Sequence, residues 1–67
     1  MTLGEVISSM RLGECWTQQE LADKIDVQVS RVCLYEKDKV VPSLKTIRKL
    51  ADAFNCSTTI FVDLLNK

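Results

Sequence analysis

Apolar residues recur along this chain at intervals of three and four, the spacing that lines one face of an α-helix. Leu3, Val6, Ile7 and Met10 predict a first helix of about ten residues ending near Gly13. Leu21, Ala22 and Ile25 predict a second, and Val29, Val32 and Tyr35 a third. Leu44, Ile47, Leu50, Ala51 and Phe54 make the cleanest stripe, and Ile60, Phe61, Leu64 and Leu65 a short last helix. Two glycines and one proline leave strands and tight hairpins little punctuation. The pattern predicts an all-α fold, one compact domain of five short helices over residues 1–67.

Polar residues mark where the helices begin. In "WTQQEL", Thr17 can cap the amide of Glu20 while Glu20 returns to the amide of Thr17, a capping box. Trp16 and Leu21 occupy the two positions of a hydrophobic staple across that cap. Ser43, between Pro42 and the fourth stripe, is placed as an N-cap, and Ser57 as the cap of the fifth helix. Pro42 disfavours helical geometry at Val41, so the third helix must end before it.

Only "DVQ", residues 26–28, separates the second stripe from the third. So short a connector forces a sharp crossing, the arrangement of a helix-turn-helix whose second helix can enter the DNA major groove. The third helix is also too apolar for an ordinary surface helix. Val32 and Tyr35 share one stripe, whereas Val29, Cys33 and Leu34 spread onto others. Its inner stripe is expected on the core and its outer one against a partner.

Charge sharpens that expectation. The chain has no formal net charge, yet residues 27–49 hold Arg31, Lys37, Lys39, Lys45, Arg48 and Lys49 against Glu36 and Asp38. One third of the chain is therefore a basic patch on an otherwise acidic body, the footprint of a polyanion-binding face. Composition adds bounds: 46% hydrophobic and 27% charged residues in 67 describe a small globular domain with a thin core. No apolar run reaches the length of a membrane span and no secretory leader opens the chain, so the expected compartment is the cytoplasm, with no membrane partner.

Three cysteines, Cys15, Cys33 and Cys56, are widely spaced and lack a C-x-x-C pair, and the chain has no histidine. No zinc site is expected; the cysteines are read as reduced, buried, small apolar residues. Asp23 with Asp26, or Glu36 with Asp38, imitates a carboxylate pair but is better read as solvated helix-end charge. Without histidine, a glycine-rich phosphate loop or an activated nucleophile, no enzyme and no cofactor are expected.

The stretch "TQQELADKIDVQVSRVCLYEKDKVVPSLKTIRKLADAF" resembles the Cro and phage-repressor type of helix-turn-helix, the xenobiotic-response-element family of bacterial and phage regulators. "TQQELA" opens helix two, "VSRV" and "YE" lie in helix three, "PSL" opens helix four and "LADAF" closes it, in the family's order and spacing. The resemblance implies a five-helix domain that binds operator DNA as a two-fold dimer. It implies that Gln18 contacts phosphate and buttresses the recognition helix. It places Gln28, Val29, Ser30 and Leu34 at base edges or the adjacent backbone, and it pairs Arg11 with Glu36 between helices one and three. The chain departs from the family in three places. Asp26 replaces the usual turn glycine and so needs left-handed backbone; Gln28 stands where serine or threonine caps helix three; and the outward positions hold Val29, Ser30, Cys33 and Leu34 where amides are common. Hydrogen-bonded base reading then falls to Gln28, Ser30 and Arg31, leaving apolar side chains to thymine methyls.

The leading expectation is a repressor-like transcriptional regulator, bacterial or phage-encoded and nucleoid-associated, binding a palindromic operator. Its length suggests a stand-alone controller without a ligand domain, so no small-molecule ligand is expected. Lys37, Lys39, Lys45 and the helix start at Ser43 would meet phosphates. A homodimer would form through surplus apolar residues of the last helix, Ile60, Val62 and Leu65, with Phe61 in the core. The alternative is a protein-interaction module, such as an antitoxin, using the apolar outer face of helix three.

Overall fold

A computed structural model describes residues 1–65. Its elements are α1 (Leu3–Gly13), α2 (Gln18–Ile25), α3 (Val29–Glu36), α4 (Leu44–Phe54) and α5 (Thr59–Leu65). No strand occurs among the described residues, and the all-α expectation holds.

Each helix start follows from its cap. The Thr17–Glu20 box forms as its sequence implies: Glu20 N donates to Thr17 Oγ1 (3.1 Å) and Thr17 N to Glu20 Oε1 (2.9 Å). A second box opens α1, where Glu5 N donates to Thr2 Oγ1 (3.2 Å) and Thr2 N to Glu5 Oε1 (2.9 Å). The "TLGE" spelling is the same cap signature, so this box could have been read from the sequence. Ser43 Oγ accepts from Thr46 N at 3.3 Å, and Ser57 Oγ accepts from Thr59 N at 3.3 Å. Gln28 makes no side-chain cap on α3, as expected of an amide at a serine position.

The ends of α1 to α4 share one device. A residue with positive φ follows each helix: Cys15 (61°), Asp26 (58°), Asp38 (57°) and Asn55 (55°). The next amide then reaches back to a carbonyl of the last turn: Trp16 to Arg11, Val27 to Ala22, Lys39 to Leu34 and Cys56 to Ala51. This is the hydrogen bond of a Schellman motif, which satisfies carbonyls that a helix end leaves open. Asp26 thus takes the left-handed backbone its position in the turn requires.

α3 packs on α2 and α1, α4 on α2, and α5 on α1 and α4. The enclosed core contains Ile7, Leu21, Ile25, Val32, Ile47, Leu50 and Phe61, each with no exposed surface. Gly4 lets α1 approach the end of α3. A Cβ there would lie 2.5 Å from Tyr35 O and 2.6 Å from Glu36 O, closer than real contacts allow.

Two expectations need correction. Leu44 belongs to the α4 stripe by period but is 57% exposed, because the first turn of α4 overhangs the core. Cys15 is exposed on a left-handed turn where a buried apolar residue was expected. The ring of Trp16 packs against the core and stacks on Phe54 with centroids 5.4 Å apart.

Candidate nucleic-acid interface

The α2–turn–α3 unit is set by three residues. Ile25 ends α2 in the core, Asp26 reverses the chain in left-handed backbone, and Val27 packs half-buried before α3 starts. With the turn pinned from both sides, the rotation of α3 about its axis follows from what it buries. Val32 and Tyr35 face inward, so at about 100° per residue Ser30 and Leu34 lie nearly opposite Val32. Val29 and Cys33 flank that outer strip on one side and Arg31 on the other.

Exposure agrees with that wheel. Gln28, Val29, Ser30, Arg31 and Leu34 are all exposed, and Cys33 is half-buried. Val27, Gln28, Ser30, Arg31 and Leu34 line one shallow open groove on this face. Four of the five residues predicted at base edges, Gln28, Ser30, Arg31 and Leu34, therefore share this groove; Val29 is exposed but does not line it.

The back of α3 is anchored by a polar cluster. Arg11 Nε donates to Glu36 Oε2 (2.7 Å), and Arg11 Nη2 donates to Glu36 Oε1 (3.2 Å). Arg11 Nη1 donates to Trp16 O at 2.6 Å, and Gln18 Nε2 to Glu36 Oε1 at 3.1 Å. The side chains of Arg11 and Glu36 are only 12% and 7% exposed, so a two-pronged, hydrogen-bonded ion pair ties α1, the start of α2 and the end of α3 together. Removing one partner of so enclosed a pair leaves a buried charge unmatched, unlike the loss of a surface pair. Gln18 is half-buried with one amide hydrogen engaged this way, at the first position of α2.

Beyond α3 the chain turns through Lys37, Asp38 and Lys39. Asp38 reaches back to α1: Thr2 Oγ1 donates to Asp38 Oδ2 (2.6 Å) and Gly4 N to Asp38 Oδ1 (2.9 Å). The Thr2 hydroxyl, followed by the Gly4 amide, holds the Asp38 carboxyl below its ordinary value of 3.8. The sequence reading missed this clasp. It joins residues 36 positions apart, and no local pattern encodes such a contact.

Pro42 is buried and fixes the entry to α4, leaving Ser43 and Lys45 exposed at its first turn. Arg31, Lys37, Lys39, Lys45 and Arg48 form no ion pair among the described residues, whereas Lys49 lies 3.8 Å from Asp26. Unpaired cations thus cluster on α3, the following turn and the start of α4. Ile60, Val62 and Leu65 sit apart, on α5, which packs against α1 and α4. Ile60 and Leu65 are exposed, Val62 half-buried, and Phe61 fully buried.

Among the described residues no three cysteine or carboxylate side chains converge as metal ligands. The cysteines are free and apart; burial pushes the Cys56 thiol above its ordinary value. No helix among the described residues is long and apolar enough to cross a membrane.

The HTH-type transcriptional regulator ImmR of Bacillus subtilis (strain 168) is 31% identical over a 78-residue alignment that takes in all of this chain and 61% of the relative. The chain thus spans less than two thirds of that relative's length. A helix-turn-helix family model matches residues 8–61, from the middle of α1 through α2, the turn, α3 and α4 to Phe61 of α5. The chain belongs to the helix-turn-helix family.

Proposed function

We propose that this protein is a sequence-specific DNA-binding transcriptional regulator that occupies a palindromic operator as a homodimer, with α3 in the major groove. One observation carries the reading: the outward strip of α3 is exposed, and Arg31 on α3, Lys37 and Lys39 on the turn after it and Lys45 in the first turn of α4 are exposed too, none of them in an ion pair among the described residues. Gln28, Ser30 and Arg31 supply hydrogen bonds to base edges, while Val29 and Leu34 supply apolar contact to thymine methyls. Lys37, Lys39 and Lys45 meet phosphates. Backbone amides at the starts of α2 and α4, beside Gln18 and Ser43, donate to two more. The similarity to a transcriptional regulator supports the same reading.

Selection of bound duplexes from a random oligonucleotide pool tests it. The expected result is enrichment of a two-fold symmetric site whose affinity falls steeply with salt. The exposed apolar residues Val29 and Leu34 would equally suit a protein partner. A pool that yields no enriched site, together with heparin binding indifferent to salt, would favour that alternative.

A further inference from the structure

Asp38 is flanked by Lys37 and Lys39 on an exposed turn. An aspartate so placed would ordinarily offer its charge to its neighbours or to water. Here both carboxylate oxygens are engaged at the start of α1, by Thr2 Oγ1 (2.6 Å) and Gly4 N (2.9 Å), and Asp38 forms no ion pair among the described residues. The approach is possible only because Gly4 has no side chain; an added Cβ would also meet Asp38 Oδ1 at 2.8 Å. The backbone is held from the other side as well: Asp38 N donates to Tyr35 O (3.1 Å) and Lys39 N to Leu34 O (3.0 Å).

We propose that Asp38 is a positioning residue for DNA binding, whose clasp on Thr2 and Gly4 fixes the turn that aims Lys37 and Lys39 at the phosphate backbone. The inference rests on the DNA-binding reading above. The clasp acts in two ways. It engages the carboxylate that stands between the two lysines, and neither lysine is in an ion pair among the described residues. It also orders the turn before DNA arrives, so less conformational freedom is lost on binding.

Charge and positioning predict opposite signs, which makes the test decisive. Removing a negative charge beside two lysines should, by electrostatics alone, tighten binding to DNA. Asp38→Gly keeps the left-handed backbone but removes the clasp. Asp38→Asn removes the charge but keeps an acceptor for the Gly4 amide and a polar partner for Thr2. On an oligonucleotide duplex bound by the wild type, Asp38→Gly should bind more weakly. The slope of log affinity against log salt should flatten by about one to two units, the loss of one or two phosphate contacts. Asp38→Asn should bind at least as tightly as wild type with the slope intact. Circular dichroism at the assay temperature confirms that each variant is folded. Should Asp38→Gly not fold, Thr2→Ala decides, since it removes the hydroxyl of the clasp and leaves the Asp38 charge in place: weaker binding with a flattened slope is expected, and an unchanged slope overturns the positioning role. Two variants that both tighten binding, or an Asp38→Gly protein with lowered Tm and an unchanged slope, overturn the positioning role. A folded wild type without salt-dependent DNA binding overturns the parent reading and this one with it.

Discussion

Left-handed backbone at Cys15, Asp26, Asp38 and Asn55 ends four helices without a glycine. Aspartate and asparagine tolerate this region better than other residues, because their short polar side chains can bond locally. Cys15 has no such help, and it is exposed, so nothing in the core depends on it. Cys15→Gly should therefore raise stability by about 0.5–1 kcal/mol, the relief of left-handed strain less the freedom glycine adds to the unfolded chain. Thermal melts under reducing conditions check this; an unchanged or lowered Tm refutes it. The carboxylates at the start of α1 make a second prediction. Glu5 is held below its ordinary 4.5 by the Thr2 amide and then the Thr2 hydroxyl, and Asp38 below 3.8 by Thr2 and then Gly4. A carboxyl whose folded pKa is depressed stabilises the fold fully above its unfolded value and loses that contribution as pH falls through the folded one. Stability should fall as pH drops below the ordinary range of these carboxyls, and Asp38→Asn should flatten the decline. A variant whose acid melting curve superimposes on the wild type's would show that the clasp is not coupled to folding.

At the scale of the elements, α3 settles how a short helix so rich in apolar residues stays on a surface. Val32 and Tyr35 are enough to dock it, and Val29 and Leu34 remain 37% and 38% exposed on other faces. Leu34→Ala should therefore change stability by less than about 1 kcal/mol, where a core leucine would cost roughly 2–5 kcal/mol. If the outer strip reads bases, the same variant should lose about 1–3 kcal/mol of discrimination between operator variants. A large drop in Tm would put Leu34 inside and remove it from the interface. Much of this was legible beforehand, because helical period and cap chemistry are local: the Thr17 box, the Ser43 cap and the turn at Asp26 all follow from residues within one helical turn. The Arg11–Glu36 pair was reached only through resemblance to a family, since its partners lie 25 positions apart. Period misplaced Leu44 because it describes which side of a helix a residue occupies, not how far along the helix the core extends. The Thr2–Gly4–Asp38 clasp was invisible for a related reason. It depends on α1 meeting the end of α3, and that follows from the packing of every helix together.

For the whole molecule, the open question of assembly turns on α5. Phe61 is fully buried, and its ring lies 6.5 Å from that of Phe54, which closes the base of the core. Val62 and Leu64 pack half-buried beside it, so the outward apolar surface of α5 is mainly Ile60 and Leu65, 45% and 38% exposed. That surface does not stop at the helix. Leu64 and Leu65 join Met1, Leu3, Val40 and Val41 around one shallow apolar groove, and Met1 and Val41 are 78% and 69% exposed. A patch built from three separate parts of so small a chain is more than scattered exposure, and pairing it with a second copy would remove it from water. The protein measures 28 × 24 × 21 Å, so two copies side by side can hold their recognition helices about one DNA turn apart, near 34 Å. The wild type should therefore dimerise at micromolar concentration in sedimentation equilibrium, and Ile60→Lys/Leu65→Lys should be a folded monomer, because neither side chain is needed to close the core. On a two-fold site the double variant should lose far more affinity than on a single half-site. A wild type that is monomeric without DNA, or a double variant that still dimerises, would place the two-fold contact elsewhere.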